Sequence, residues 1–134
     1  MKLLSLDLGL RRIGVALADG ETVASQETIK YWNREEAILK ILKICREESV
    51  EKIILGLPKS ISGESEDMVR SFAIEINKMV SLPIEFVDET LTSKEAERIL
   101  SELKINYRSE KYKQEIDRIS AKLILEQYLS MQNK

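Results

Sequence analysis

The chain has 134 residues, 43% apolar and 33% charged, with 21 Lys+Arg against 23 Asp+Glu and a net charge of −2. That length suits one domain, 1–134, with a core of its own, and is too short for two catalytic domains closing on each other. There is no histidine and a single cysteine, Cys45. This excludes His-based triads, imidazole-ligated zinc, disulfides and Cys-x-x-Cys chemistry.

In chain order, Leu3–Leu8 reads as a first strand, followed by a turn containing Gly9 and a second strand at Ile13–Leu17. Asp19-Gly20 is a hairpin signal leading into a third strand near Thr22–Ile29. Asn33 with Glu36 caps a helix whose Ile38, Ile41, Leu42 and Cys45 follow helical spacing; Cys45 reads as a buried structural thiol. Lys52–Leu57 is a strand stopped by Pro58. A polar loop, Lys59–Glu64, precedes a helix marked by Val69, Phe72, Ala73, Ile76 and Val80. Pro83–Glu89 is a fifth strand, and Thr92 with Glu95 opens a helix through Leu103. The last helix carries Ile116, Ile119, Leu123, Ile124, Gln127 and Tyr128 on one face. The order β-β-β-α-β-α-β-α-α predicts an α/β domain with a five-stranded mixed sheet and helices on its faces.

No apolar run approaches the ~20 residues of a spanning helix. Asp7 interrupts the first apolar run too early for a signal-peptide core. The expectation is a cytoplasmic protein with no membrane partner, in which any nucleic-acid contact uses a local basic patch.

Only 5 of the acids are Asp against 18 Glu. The two-residue period of a strand puts Ser5 and Asp7 on one face and Leu4, Leu6 and Leu8 on the other. A carboxylate inside a buried strand is costly unless it is paired or coordinated. Asp88-Glu89 closes the fifth strand, at the sheet edge where α/β proteins bind ligands. Asp117 lies one residue off the apolar stripe of the last helix, and small residues at 120 and 121 let that helix approach the sheet. Taken singly, these are a strand-end acid, helix-start acids favoured by the dipole and a solvated helix acid. Taken together, a first-strand Asp, a strand-end acid and a helix Asp converge on one edge. Such oxygen donors suit Mg²⁺ or Mn²⁺ and phosphodiester hydrolysis.

Asp7-Leu8-Gly9-Leu10-Arg11-Arg12-Ile13-Gly14-Val15-Ala16 with Asp19, Gly56-Leu57-Pro58 with Gly63, Arg70 and Phe72, the run Val87–Glu97, and Asp117-Arg118-Ile119-Ser120-Ala121 with Tyr128-Leu129 form four short motifs in fixed order over nearly the whole chain. Together they resemble the YqgF (RuvX) family of bacterial Holliday-junction resolvase-like proteins. The resemblance implies a ribonuclease H-like three-layer domain and a metal-dependent nuclease site. Asp7, Glu89 and Asp117 would be its catalytic and metal-binding acids, with Asp88 the alternative to Glu89. Thr90 stands where the family often has arginine and Ser120 where it usually has alanine. The family's association with maturing the 5′ end of precursor 16S rRNA implies an RNA substrate first. Branched DNA, as a Holliday junction in recombination and repair, is the alternative, in a monomer or homodimer.

Arg11, Arg12, Lys59 and Arg70 are the candidate substrate-binding cations. Segment 104–113, with Lys104, Arg108, Lys111 and Lys113 interleaved with Tyr107 and Tyr112, suits phosphate and base contact. Two competing readings are a non-catalytic RNA- or ribosome-binding protein and a nucleotide-binding protein. The second rests on the Asp-x-Gly hairpin, which also resembles the phosphate loop of actin-like ATPases.

Overall fold

The computed structural model describes residues 1–58, 63–88, 98–99, 101–102 and 110–132. The strands are β1 (Lys2–Leu8), β2 (Arg12–Asp19), β3 (Thr22–Ser25), β4 (Ile29–Lys30), β5 (Lys52–Leu57) and β6 (Ile84–Asp88). The helices are α1 (Arg34–Glu47), α2 (Glu64–Met79) and α3 (Glu110–Gln132). The sheet runs β3-β2-β1-β5-β6, with β4 also paired to β2. β1 is antiparallel to β2 and parallel to β5, which is parallel to β6. The expected helix over Thr92–Leu103 falls largely outside the described residues.

Among the described residues the sheet therefore has six strands where the sequence predicts five. Ala16 pairs with Ser25, but Ile13 pairs with Ile29. Three residues, Gln26, Glu27 and Thr28, thus lie opposite two, Val15 and Gly14. One inserted residue breaks the ladder as a bulge does and divides the third strand into β3 and β4. The bulge leaves the buried Thr28 Oγ1 without a hydrogen-bond partner. At the other end of β3, Asp19 pairs with Thr22 across a two-residue loop. Gly20 takes the left-handed φ of +63° that this tight connection needs.

Alternation along β1, β2 and β5 supplies both faces of the sheet with apolar side chains. Leu4, Leu6, Ile13, Val15, Ile53 and Leu55 pack under α1 and α2, against Ile41, Phe72 and Ile76. Leu3, Ala16, Ala18, Ile54 and Val87 pack under α3, against Ala121, Ile124, Leu125 and Tyr128. The layers are thus α1/α2, sheet, α3, as expected.

α1 opens where the sequence predicts. Asn33 Oδ1 accepts from the Glu36 amide at 2.9 Å, while the Glu36 carboxylate accepts the amide of Trp32, one residue before the cap, at 3.3 Å. The buried stripe of α3 differs from the predicted one. It runs through Ser120, Ala121, Ile124, Leu125 and Tyr128, while Ile116, Ile119 and Leu123 are half-buried. The reason lies in the floor beneath it. Gly14, Ala16 and Ala18 of β2 and Ser5 of β1 are small, so the helix turns its own small residues toward them. That rotation brings Asp117, one turn before Ala121, onto the packed face.

Candidate nucleic-acid-processing site

Asp7 lies near the C-terminal end of β1, on the same face as Leu3 and Ser5, half-buried. Its partner across the ladder is Gly14. A Cβ placed on Gly14 would stand 2.0 Å from the carbonyl oxygen of Asp117, so the backbone of α3 rests directly on Gly14. Asp7 and Asp117 thus flank one glycine, the first beside it in the sheet and the second above it on the helix.

Three polar contacts hold α3 in that place. Arg12, two residues before Gly14, donates from Nε to Asp117 Oδ2 at 2.8 Å. Arg118 Nε donates to the Gln26 carbonyl at 3.0 Å. The fully buried Ser5 hydroxyl donates to the Ala121 carbonyl at 2.6 Å. A buried hydroxyl must find a partner, and the helix carbonyl supplies it.

The other expected site residues are placed as follows. Asp88 ends β6 opposite Leu57, exposed, on the α1/α2 side of the sheet and so on the face away from Asp7. Glu89 and Lys59 lie outside the described residues, as does most of segment 104–113. Arg11 is exposed in the β1–β2 turn, its guanidinium 5.2 Å from the centroid of the Trp32 ring. Arg12 is beside the acids, bound to Asp117. Arg70, on α2, pairs with Glu66 at 3.1 Å and stacks over Phe86 at 5.1 Å. It belongs to the face opposite Asp7 and Asp117.

The structure also identifies contributors that the sequence reading leaves unassigned. Tyr31 is buried against Phe72, edge to face with centroids 6.2 Å apart. Its hydroxyl donates to the Gly9 carbonyl and its amide to the Arg11 carbonyl, tying the turn after Asp7 to the start of α1. Burial raises its hydroxyl pKa, so it stays a donor. The aromatic pair Tyr31-Trp32 before a capped helix was the available signal.

Among the described residues, no group of three or more Asp, Glu or Cys forms a metal-ligand set, and no helix is long and apolar enough to cross a membrane. Asp7 and Asp117 are hard oxygen donors of the kind Mg²⁺ and Mn²⁺ prefer. Their chemistry fits such an ion.

A family model described as "RuvX: Holliday junction resolvase" matches residues 1–131. A protein of Chloroflexus aurantiacus named "Putative pre-16S rRNA nuclease" is 37% identical over 132 residues, covering 95% of this chain and 85% of its own length. In structure the chain is similar to RuvC of T. thermophilus, solved with a Holliday junction substrate, with a TM-score of 0.64 at 12% identity over 98% of this chain and 96% of that one. It is also similar to the fowlpox virus resolvase, solved with Holliday junction DNA, with a TM-score of 0.62 at 14% identity over the whole of both chains. These likenesses give the fold, which is ribonuclease H-like. With the family match and the relative's identity over nearly the full chain, they show that the chain belongs to the RuvX (YqgF) family.

Proposed function

We propose that this chain is a divalent-metal-dependent nuclease that processes the 5′ end of precursor 16S rRNA, with Asp7, Glu89 and Asp117 as its acidic site. The observation that carries the reading is that Asp7 pairs with Gly14 in the sheet while the backbone of Asp117 rests on the same glycine, near the C-terminal end of β1. The printed name of the Chloroflexus relative supports the RNA substrate. Asp88 belongs to the face opposite Asp7, which supports Glu89 over Asp88 as the third acid. The family's description as a Holliday junction resolvase favours branched DNA as the second reading.

An Mg²⁺ or Mn²⁺ ion held by these carboxylates would acidify water and neutralise charge gathering on the phosphate. The chain's own residues set the stage for that chemistry. Gly14 and the Ser5–Ala121 bond fix the height of Asp117 above the sheet. Arg12 compensates the charge of Asp117 and orients its carboxylate. Arg11, on the adjoining turn, is available to the phosphates of the strand. With no histidine in the chain, proton transfer falls to carboxylates and water.

The test is cleavage of a precursor-16S 5′ leader RNA, beside a four-way DNA junction, with Mg²⁺ or Mn²⁺. The expected result is cut RNA and a spared junction. Asp7→Asn should lose at least about a hundredfold in rate, because even groups that only support a metal ligand are worth 10–100-fold, while keeping its melting temperature. Full activity in Asp7→Asn would overturn the site. Paired nicks in the junction alone would replace the substrate. RNA binding without any cut would make the chain a binding protein.

A further inference from the structure

Trp32 is the only tryptophan of the chain and is 81% exposed, yet the backbone around it is fixed. Tyr31 before it is buried and donates to the carbonyls of both Gly9 and Arg11. The Trp32 amide is held by the Glu36 carboxylate. The Arg11 guanidinium lies over the indole, 5.2 Å from its centroid. Two loops, one after β1 and one before α1, are thereby stitched together so that a cation and an open aromatic ring stand as one unit.

An indole left this open forgoes the large burial that aromatic side chains ordinarily contribute. With the guanidinium over the ring and most of the residue in solvent, a broad π surface stays accessible. The unit is tied to the turn that follows Asp7. Gly9, to which Tyr31 is bonded, lies two residues beyond Asp7, at most about 7 Å of chain.

We propose that Trp32, with Arg11, is a stacking platform for one unpaired base of the substrate strand. This rests on the nuclease reading above and deepens it by naming the substrate class, single-stranded RNA. Inside a duplex each base already has both faces stacked, so the platform selects a strand or a frayed end over a continuous helix. The Arg11 guanidinium beside the ring supplies the positive charge that complements an anionic strand.

Because Trp32 is the sole tryptophan, its fluorescence reports on the platform alone. A 12-nucleotide single-stranded RNA is titrated into the protein, in EDTA and again with Ca²⁺, beside the same RNA as a blunt duplex and a DNA strand of equal sequence. The single-stranded RNA should quench Trp32, and the duplex should not. Binding followed by a dye on the RNA should weaken about 5- to 150-fold in Trp32→Ala, the range of one base–aromatic stack, and be largely kept in Trp32→Phe. Equal quenching by the DNA strand would widen the class to single strands of either sugar and overturn the RNA assignment. RNA bound with unchanged affinity by Trp32→Ala, and without quenching, would overturn the platform while leaving the nuclease reading intact. No binding by either protein would sink both. A Trp32 signal that changes with protein concentration alone, with self-association lost in Trp32→Ala, would assign the ring to a contact between copies and overturn the proposal.

Discussion

Gly14 and Asp117 are in backbone contact: the hydrogen of the glycine occupies the only space between β2 and the first turns of α3. A methyl group there would stand 2.0 Å from the Asp117 carbonyl oxygen and 2.7 Å from its carbon. Neither atom can swing away, since both belong to a helix backbone.

Gly14→Ala should therefore lift the start of α3 from the sheet and separate Asp117 from Asp7. The expected cost is roughly 1–3 kcal/mol, the usual range for overpacking, read as a lower denaturation midpoint. Cleavage should fall much further than stability does, because the change displaces Asp117, an acid of the proposed site. A variant as stable as the parent would show that α3 rides higher than described.

Arg12→Ala removes the guanidinium 2.8 Å from Asp117 Oδ2. Both side chains are partly buried, so the expected loss is about 1 kcal/mol, between the values for exposed pairs and for buried charge-assisted bonds. Arg12→Lys should recover charge but only part of the stability, lacking the planar fork. Urea unfolding of the three proteins measures this. Equal midpoints in all three would mean the ion pair carries nothing.

Cys45 is buried in the α1 face, and burial pushes its thiol pKa up to about 11 from the ordinary 9.0. The folded protein should react slowly with Ellman's reagent at pH 8 and quickly once unfolded by urea. The raised value also gives a pH dependence. Its stabilising share is complete below pH about 9, where both states keep the proton. It is lost as pH rises from there toward about 11, since the unfolded thiol ionises first. Fast native reaction would contradict the burial.

Lys52 at the start of β5 donates to Glu85 Oε1 at 2.9 Å and to the Tyr128 hydroxyl at 3.0 Å, joining β5, β6 and α3. The Tyr128 bond, then Glu85, raises the Lys52 pKa; Lys52 lowers that of Glu85. The Glu85 share of stability is thus present above the ordinary carboxylate range and fades as pH falls through its lowered value. The Lys52 share is present below the ordinary lysine range and fades as pH rises through its raised value. Lys52→Met should lower the melting temperature most near neutrality and least at both extremes. A difference constant from pH 3 to 12 would count against the pairing.

Much of this fold was legible because hydrophobic alternation and helical spacing are local. The strands, the capped α1 and the faces of β1 could be read from a few consecutive residues each. What escaped depended on partners far away in sequence. The split of the third strand comes from one inserted residue opposite Gly14, a matter of register. The stripe of α3 is set by Gly14, Ala16 and Ala18, which no pattern within the helix reveals. Arg12 as partner of Asp117 and Arg70 as partner of Glu66 and Phe86 required the packed molecule.

The Ser5–Ala121 and Arg12–Asp117 bonds close loops of 116 and 105 residues. Contacts of such long range form late in folding, because the chain entropy they remove is recovered only when the rest is in place. During synthesis, β1 with Asp7 leaves the ribosome long before Asp117 exists. Asp7 and Asp117 therefore come to flank one glycine only when α3 docks. The same helix, the only one packed on that side of the sheet among the described residues, is the unit whose local detachment would silence the proposed site without unfolding the remainder. Loss of activity on warming should then precede loss of the α1/α2 core.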